Sequence, residues 1–165
     1  MRTHSACSRE TWKVVGVAVA GTNGETAFWT GGPANSAFDG LRDTRRCGSK
    51  HRVRVPVRTL DDIWRECDRP AVSVVKMDIE GGEYLALEGA KDLISAKQPT
   101  FIIEWFEKNL RPYGISAETL LDFCAAVGYA IYAVPGLIPI SGPAILRLAM
   151  TQTWTFALIP NTPAE

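Results

Sequence analysis

Apolar runs rich in β-branched residues alternate along the chain with amphipathic stretches, and the spacing predicts strands separated by helices. Val14 to Ala20 is apolar and meets Gly21-Thr22-Asn23-Gly24, where Asn-Gly is a strong turn signal. Glu25 to Thr30 follows as a second strand, so the pattern predicts a hairpin closed by Gly31-Gly32-Pro33. Asn35 to Ser49 is polar and predicts irregular structure. Arg52 to Arg58 alternates polar and apolar positions, the mark of a half-buried strand, and Pro56 within it favours an edge or a bulge. Thr59 then predicts a helix N-cap, with Asp61 and Asp62 well placed in the first turn and Leu60, Ile63, Trp64 and Cys67 on the helix.

The second half of the chain repeats strand and helix more regularly. Val72 to Ile79 predicts a strand whose core, Val72-Ser73-Val74-Val75, is nearly continuous in apolar residues, as buried parallel strands tend to be. Gly81-Gly82 breaks it, and one helix is expected from about Glu83 to Ala96, with small residues Ala86, Gly89 and Ala90 beside Leu93 on one face. Pro99 ends that segment and Thr100 to Trp105 reads as the next strand. Ser116 can cap a helix carrying Leu120, Leu121, Phe123, Cys124 and Val127, stopped by Gly128. Tyr129 to Val134 and Trp154 to Ile159 predict two more strands, and Leu137 to Met150 a loop and a short helix. Such alternation implies an α/β fold with a mostly parallel sheet covered by helices.

Length and composition narrow the picture to one globular domain. The 165 residues are 46% hydrophobic and 22% charged, enough apolar surface to offset ordering entropy. Residues 1–13 and 161–165 are expected to be disordered tails. Eighteen basic and eighteen acidic residues cancel, which argues against nucleic acid as a partner. The basic stretch Arg42 to Arg58, with Arg42, Arg45, Arg46, Lys50, Arg52, Arg54 and Arg58, reads as a solvated loop and strand before it reads as a phosphate site. Cys7, Cys47, Cys67 and Cys124 form no C-x-x-C pair, and His4 and His51 are far apart, so no structural zinc site is expected. Such cysteine usage fits a reducing, cytoplasmic setting. No targeting signal is visible, and Val14 to Ala20 is too short to span a bilayer, so no membrane association is expected.

Candidate chemistry concentrates in Lys76-Met77-Asp78-Ile79-Glu80-Gly81-Gly82-Glu83. Three carboxylates lie where a strand meets a glycine turn, and ligands of open α/β sheets bind beyond the carboxyl ends of the strands. Asp78 and Glu80, two apart, share a face if the strand reaches both. Glu83 also has a plain structural role, because carboxylates favour helix N-termini. Lys76 is either a counter-ion to these carboxylates or a strand-end charge. Glu104 ends the next strand and can face the same crevice. The group Asp78, Glu80 and Glu104 also admits a magnesium site for hydrolase or nuclease chemistry, although neutral net charge argues against a nucleic-acid substrate.

The run Val75 to Glu83, continued by Leu87-Glu88-Gly89-Ala90, resembles the signature of FkbM-type methyltransferases: an apolar strand, K-x-D-x-E-G-x-E, then a helix with L-x-G-A. Val17 to Ala20 with Gly24, Thr59-Leu60-Asp61, Pro99 to Glu104, and Gly128-Tyr129 with Tyr132 resemble further steps of that family, so the likeness spans roughly residues 14 to 160. The resemblance implies a Rossmann-like, class I methyltransferase sheet with a reversed last strand. It also implies methyl transfer from S-adenosylmethionine, usually to a hydroxyl of a small-molecule or sugar-like acceptor. It places Asp78 and Glu80 near the reacting centre, Asp78 positioning substrate or cofactor and Glu80 shaping the signature turn. Lys76, Glu83 and Glu104 are then the substrate-side candidates.

One part of the family pattern has no counterpart here. The cofactor half, with its first strand, glycine-rich loop and ribose-binding acid, normally precedes the strand seen at Val14. Only thirteen residues precede Val14, and they contain no glycine, whereas a strand–loop–helix–strand unit needs ~30 or more residues. The sheet is therefore expected to lack its first two strands, and the signature strand to carry a bare edge. Val14 to Ala20 is expected to be displaced or to pack onto that edge. An exposed edge invites a homo-oligomer or a partner carrying the missing half. The isolated chain is then expected to bind cofactor weakly, either as an incomplete enzyme or as a non-catalytic remnant or partner subunit of a split methyltransferase.

Overall fold

The computed structural model describes residues 13–46, 48 and 50–161. Strands β1 (Ala18–Val19), β2 (Gly24–Thr30) and β3 (His51–Arg58) form one sheet in the order β1-β3-β2. Helix α1 (Leu60–Glu66) leads to β4 (Val74–Met77), and α2 (Glu83–Glu88) and α3 (Lys91–Lys97) lead to β5 (Thr100–Glu104). The short helix α4 (Glu107–Leu110), then α5 (Thr119–Val127), β6 (Tyr129–Ala133), β7 (Ile138–Pro139), α6 (Pro143–Ala149) and β8 (Thr155–Pro160) complete the described chain. The second sheet has the order β4-β5-β8-β6-β7. Most of the expected tails, and Cys7, Cys47 and His4, lie outside the described residues.

The core follows from alternation on the inner strands of the larger sheet. Phe101 and Ile103 of β5 and Ile131 and Ala133 of β6 are buried, and β8 buries Phe156, Ala157 and Leu158 in succession. Residues of the helices close over the same cluster: Ala86, Leu87, Ala90 and Ile94 from the α2–α3 region, Leu120, Phe123 and Cys124 from α5, and Leu146 from α6. Each large apolar side chain so buried contributes roughly 1.5–3 kcal/mol. Gly128, in the left-handed conformation at φ 76°, ends α5 as expected, and its carbonyl accepts the Asn161 N–H at 2.9 Å.

Several expectations change. The hairpin does not form: β3 lies between β1 and β2, antiparallel to β2 and parallel to β1. Asn23, read as a turn residue, instead ties the turn to the next helix. Its Oδ1 accepts the Thr59 N–H at 2.9 Å and its Nδ2 donates to Asp62. Pro56 therefore sits in the middle strand, but β1 reaches only Val57 and Arg58, so one side of the Pro56 position carries no ladder. The strand expected over Val14 to Ala20 shrinks to Ala18–Val19, and it joins β3 and not the edge of β4.

The larger sheet is mixed: β4, β5 and β6 run in one direction, and β8 and the two-residue β7 run against them. Only β4 and β5 pair in parallel; β8 is antiparallel to both β5 and β6, and β7 to β6. The last strand is thus reversed relative to its neighbours, as the resemblance implies. The single helix expected from Glu83 to Ala96 is two. Gly89 sits at the break because an added Cβ would come within 2.4 Å of the Ala20 carbonyl oxygen, and Asp61 caps the new helix start with bonds from the Asp92 and Leu93 N–H groups at 3.0 and 2.9 Å. Thr59 caps α1 as expected, accepting the Asp62 N–H at 3.1 Å. Ser116 does not cap α5 by its side chain; its hydroxyl meets that of Thr119. Finally, β4 is not a strand buried on both faces: Val74 is 59% exposed and β5 is its only strand partner among the described residues.

Candidate functional site

Because β4 and β5 run parallel, their carboxyl ends open at the same end of the sheet. Asp78 follows the last residue of β4, Glu104 is the last residue of β5, and Glu80 lies in the turn that leads to α2. One oxygen from each of the three lies within 4.8 Å of the others. Like charges this close repel unless cations or donors stand between them. Arg46 supplies one: its Nη1 donates to Glu80 Oε2 at 2.9 Å and to Asn109 Oδ1 at 3.0 Å. Asn109 Nδ2 in turn donates to Glu104 Oε2 at 2.7 Å, and Lys76 Nζ to Asp78 at 2.9 Å. A continuous hydrogen-bonded chain, Glu80–Arg46–Asn109–Glu104, therefore fixes two of the carboxylates and leaves Asp78 the most exposed.

Burial raises the pKa of Glu104 above the ordinary carboxylate value, with the Asp78 charge adding to it and Arg46 and Asn109 opposing it. Burial likewise raises Glu80, against the pull of Arg46. Oxygen clusters of this kind suit hard cations. Here the Arg46 guanidinium and the Lys76 ammonium already bring positive charge to Glu80 and Asp78.

The turn that presents these groups depends on its backbone. Glu80 and Gly81 are both left-handed, at φ 57° and 94°. A Cβ at Gly81 would fall 2.2 Å from the Asn109 carbonyl oxygen, so only glycine admits this approach of the turn to α4. Glu83 is fully buried and faces back into the turn, its Oε1 accepting the Ile79 N–H at 2.9 Å. Burial raises its pKa to about 7. Its Oε2 and the hydroxyls of Tyr113 and Thr44 are buried without a hydrogen-bond partner among the described residues.

Beside the carboxylates opens a cleft of about 1050 Å³, lined by Phe38, Arg45, Arg46, Phe106, Lys108 and Trp154 among others. The Arg46 guanidinium lies 5.1 Å from the ring centres of both Phe38 and Phe106 and 6.0 Å from that of Trp154. Phe106 and Trp154 stack with centroids 4.3 Å apart.

The sequence matches the methyltransferase FkbM domain over residues 7–130, a span that holds the signature turn, all three carboxylates, Arg46 and Asn109. The chain belongs to the FkbM methyltransferase family. No curated protein and no solved structure matches it.

Within this FkbM domain, Asp78, Glu80 and Glu104 come together as expected, and Lys76 joins them through Asp78. Glu83 does not reach the cluster's open side; it is sealed beneath the turn. Arg46 and Asn109 were not singled out from the sequence. Arg46 lies in the basic stretch that reads as solvated, and it reaches Glu80 and Asn109 across 34 and 63 residues, whereas Asn109 meets Glu104 only five residues away. The family's usual donor is S-adenosylmethionine. The glycines at this carboxylate end point at protein: Gly81 at Asn109, and Gly82 at Ile79, whose side chain is 3.4 Å from an added Cβ. That turn is filled by the chain itself and does not fit a nucleoside cradle.

Proposed function

We propose that this domain is the acceptor-binding part of an S-adenosylmethionine-dependent methyltransferase acting on a hydroxyl of a small-molecule or sugar-like acceptor. The observation that carries the reading is the convergence of Asp78, Glu80 and Glu104 within 4.8 Å at the carboxyl ends of two parallel strands of an FkbM-family domain. A hydroxyl seated there donates its hydrogen bond to Asp78 or Glu104, and burial raises the pKa of Glu104, which makes its carboxylate a stronger base for the acceptor proton. Arg46 and Asn109 hold Glu104 and Glu80 in place, so alignment of the acceptor needs little rearrangement. The filled signature turn supports weak donor binding by the chain on its own, with the donor held by surfaces beyond this cluster. Comparing small molecules from native-host cells carrying the wild-type chain or Glu104→Gln tests the reading. Loss of a methylated hydroxyl compound in the variant is expected; identical profiles would contradict it.

A second reading, a non-catalytic partner subunit of a split methyltransferase, is favoured by the open edge of β4. It predicts normal folding, association through that edge and no dependence of any methylated product on Glu104.

A further inference from the structure

The cleft next to the carboxylate cluster is lined by an excess of positive charge. Arg45, Arg46, Lys108 and Arg111 line it against one carboxylate, Asp43, in a chain whose net charge is zero. Asp43 already faces Lys50 at 3.9 Å. Arg46 is committed to Glu80, and Arg111 shares a solvent-exposed pair with Glu107 at 3.5 Å. Arg45 and Lys108 make no ion pair among the described residues. The same cleft holds the stacked Phe106–Trp154 pair, with Trp154 46% exposed, an apolar platform set among cations.

We propose that this cleft binds the acceptor by a carboxylate or phosphate group held by Arg45, Lys108 and Arg111, with a flat apolar face of the acceptor laid on Phe106 and Trp154. The inference rests on the acceptor-site reading above and names the class of acceptor. Aromatic rings alone also attract cations, but Arg45 and Lys108, without an ion pair among the described residues, stand beside this pair and favour an anionic ligand over a cationic one. Guanidinium groups bond carboxylate and phosphate through paired N–H donors. An aromatic ring or the apolar face of a pyranose suits the platform. Arg46 lines the cleft and also bonds Glu80, so a ligand seated there lies beside the residue that holds the carboxylate cluster, and its hydroxyl is the group to be methylated.

Titration calorimetry of the whole chain at low salt with two matched pairs tests this: 4-hydroxybenzoate against 4-hydroxybenzamide, and glucose 6-phosphate against glucose. At least one anion is expected to bind about 10-fold more tightly than its neutral partner, and the pair that shows the preference separates an aromatic acid from a sugar phosphate. In the double variant Lys108→Gln, Arg111→Gln the preference should shrink to about 3-fold or less, and added salt should weaken it in the wild type. No preference in either pair, or a preference unchanged in the double variant, overturns the inference. The assay uses no methyl donor, so its result is independent of the methyltransferase reading. An anion preference together with no methylated product traceable to Glu104 would sink that reading alone.

Discussion

At the scale of single residues, Glu83 has the clearest measurable signature. Its carboxyl accepts the Ile79 N–H and is otherwise enclosed, and burial moves its pKa from 4.5 to about 7. The folded state therefore keeps a proton that the unfolded chain releases. The stability this brings is fully present below pH 4.5 and is lost as pH rises through 7, by an amount on the order of 3 kcal/mol. Glu83→Gln keeps the acceptor oxygen but has nothing to titrate. Thermal unfolding of the two proteins should diverge between pH 5 and 8, the wild type losing Tm relative to the variant; parallel curves would rule out a buried, titrating Glu83. Residues of this kind were partly legible in the sequence. Asp78, Glu80 and Glu104 could be picked out because strand ends and a glycine turn mark where α/β sheets bind ligands. Arg46 could not, because what makes it part of the site is contact across 34 residues to Glu80 and 63 to Asn109, and no local pattern encodes such contacts; Asn109 meets Glu104 only five residues away, but no motif marks an asparagine there.

At the scale of elements, capping and close approach decided more than propensity. The residues from Glu83 to Ala96 have the composition of one helix, yet Gly89 must pass the Ala20 carbonyl and Asp61 offers its carboxylate to two N–H groups of a fresh helix start. Both causes come from elements earlier in the chain, which is why local periodicity missed the break. Asp61→Ala removes both acceptors at a buried helix N-terminus and should destabilise the protein by roughly 1–3 kcal/mol, read as a lower urea midpoint with unchanged slope. A loss below a few tenths of a kcal/mol would mean that α3 starts without this cap. The failed hairpin has a similar origin: Asn23 bonds Thr59 and Asp62, and the partner that β2 finds is β3. Thr59, by contrast, caps through its own next turn, and that cap was readable directly from sequence.

For the whole molecule, the feature with most consequence is the side of β4 that no strand covers among the described residues. The Ser73 carbonyl accepts from Thr100 N–H at 2.9 Å, so alternate residues of that strand face β5, while Val74 and Lys76 turn their backbone N–H and C=O groups outward. An edge of this kind pairs readily with another strand. The chain is expected to associate as its concentration rises, and Val74→Pro, which deletes an outward N–H without breaking the β4–β5 ladder, should suppress that association while leaving Tm within a few degrees. A wild-type chain monomeric at every concentration by light scattering, or a proline variant that associates equally, would contradict this. The alternation of strand and helix indicates the shared direction of β4, β5 and β6, but not that β8 inserts between β5 and β6 and runs against both, because that pairing does not depend on any alternation of elements.

The central proposal is that the chain presents an acceptor site of clustered carboxylates and that its described residues do not by themselves cradle the methyl donor. Isothermal titration of the folded, purified chain with S-adenosylhomocysteine tests it most directly. The account predicts no saturable binding at micromolar concentrations. Saturable binding with a Kd of micromolar or tighter would contradict it and show that the donor site is built within these 165 residues.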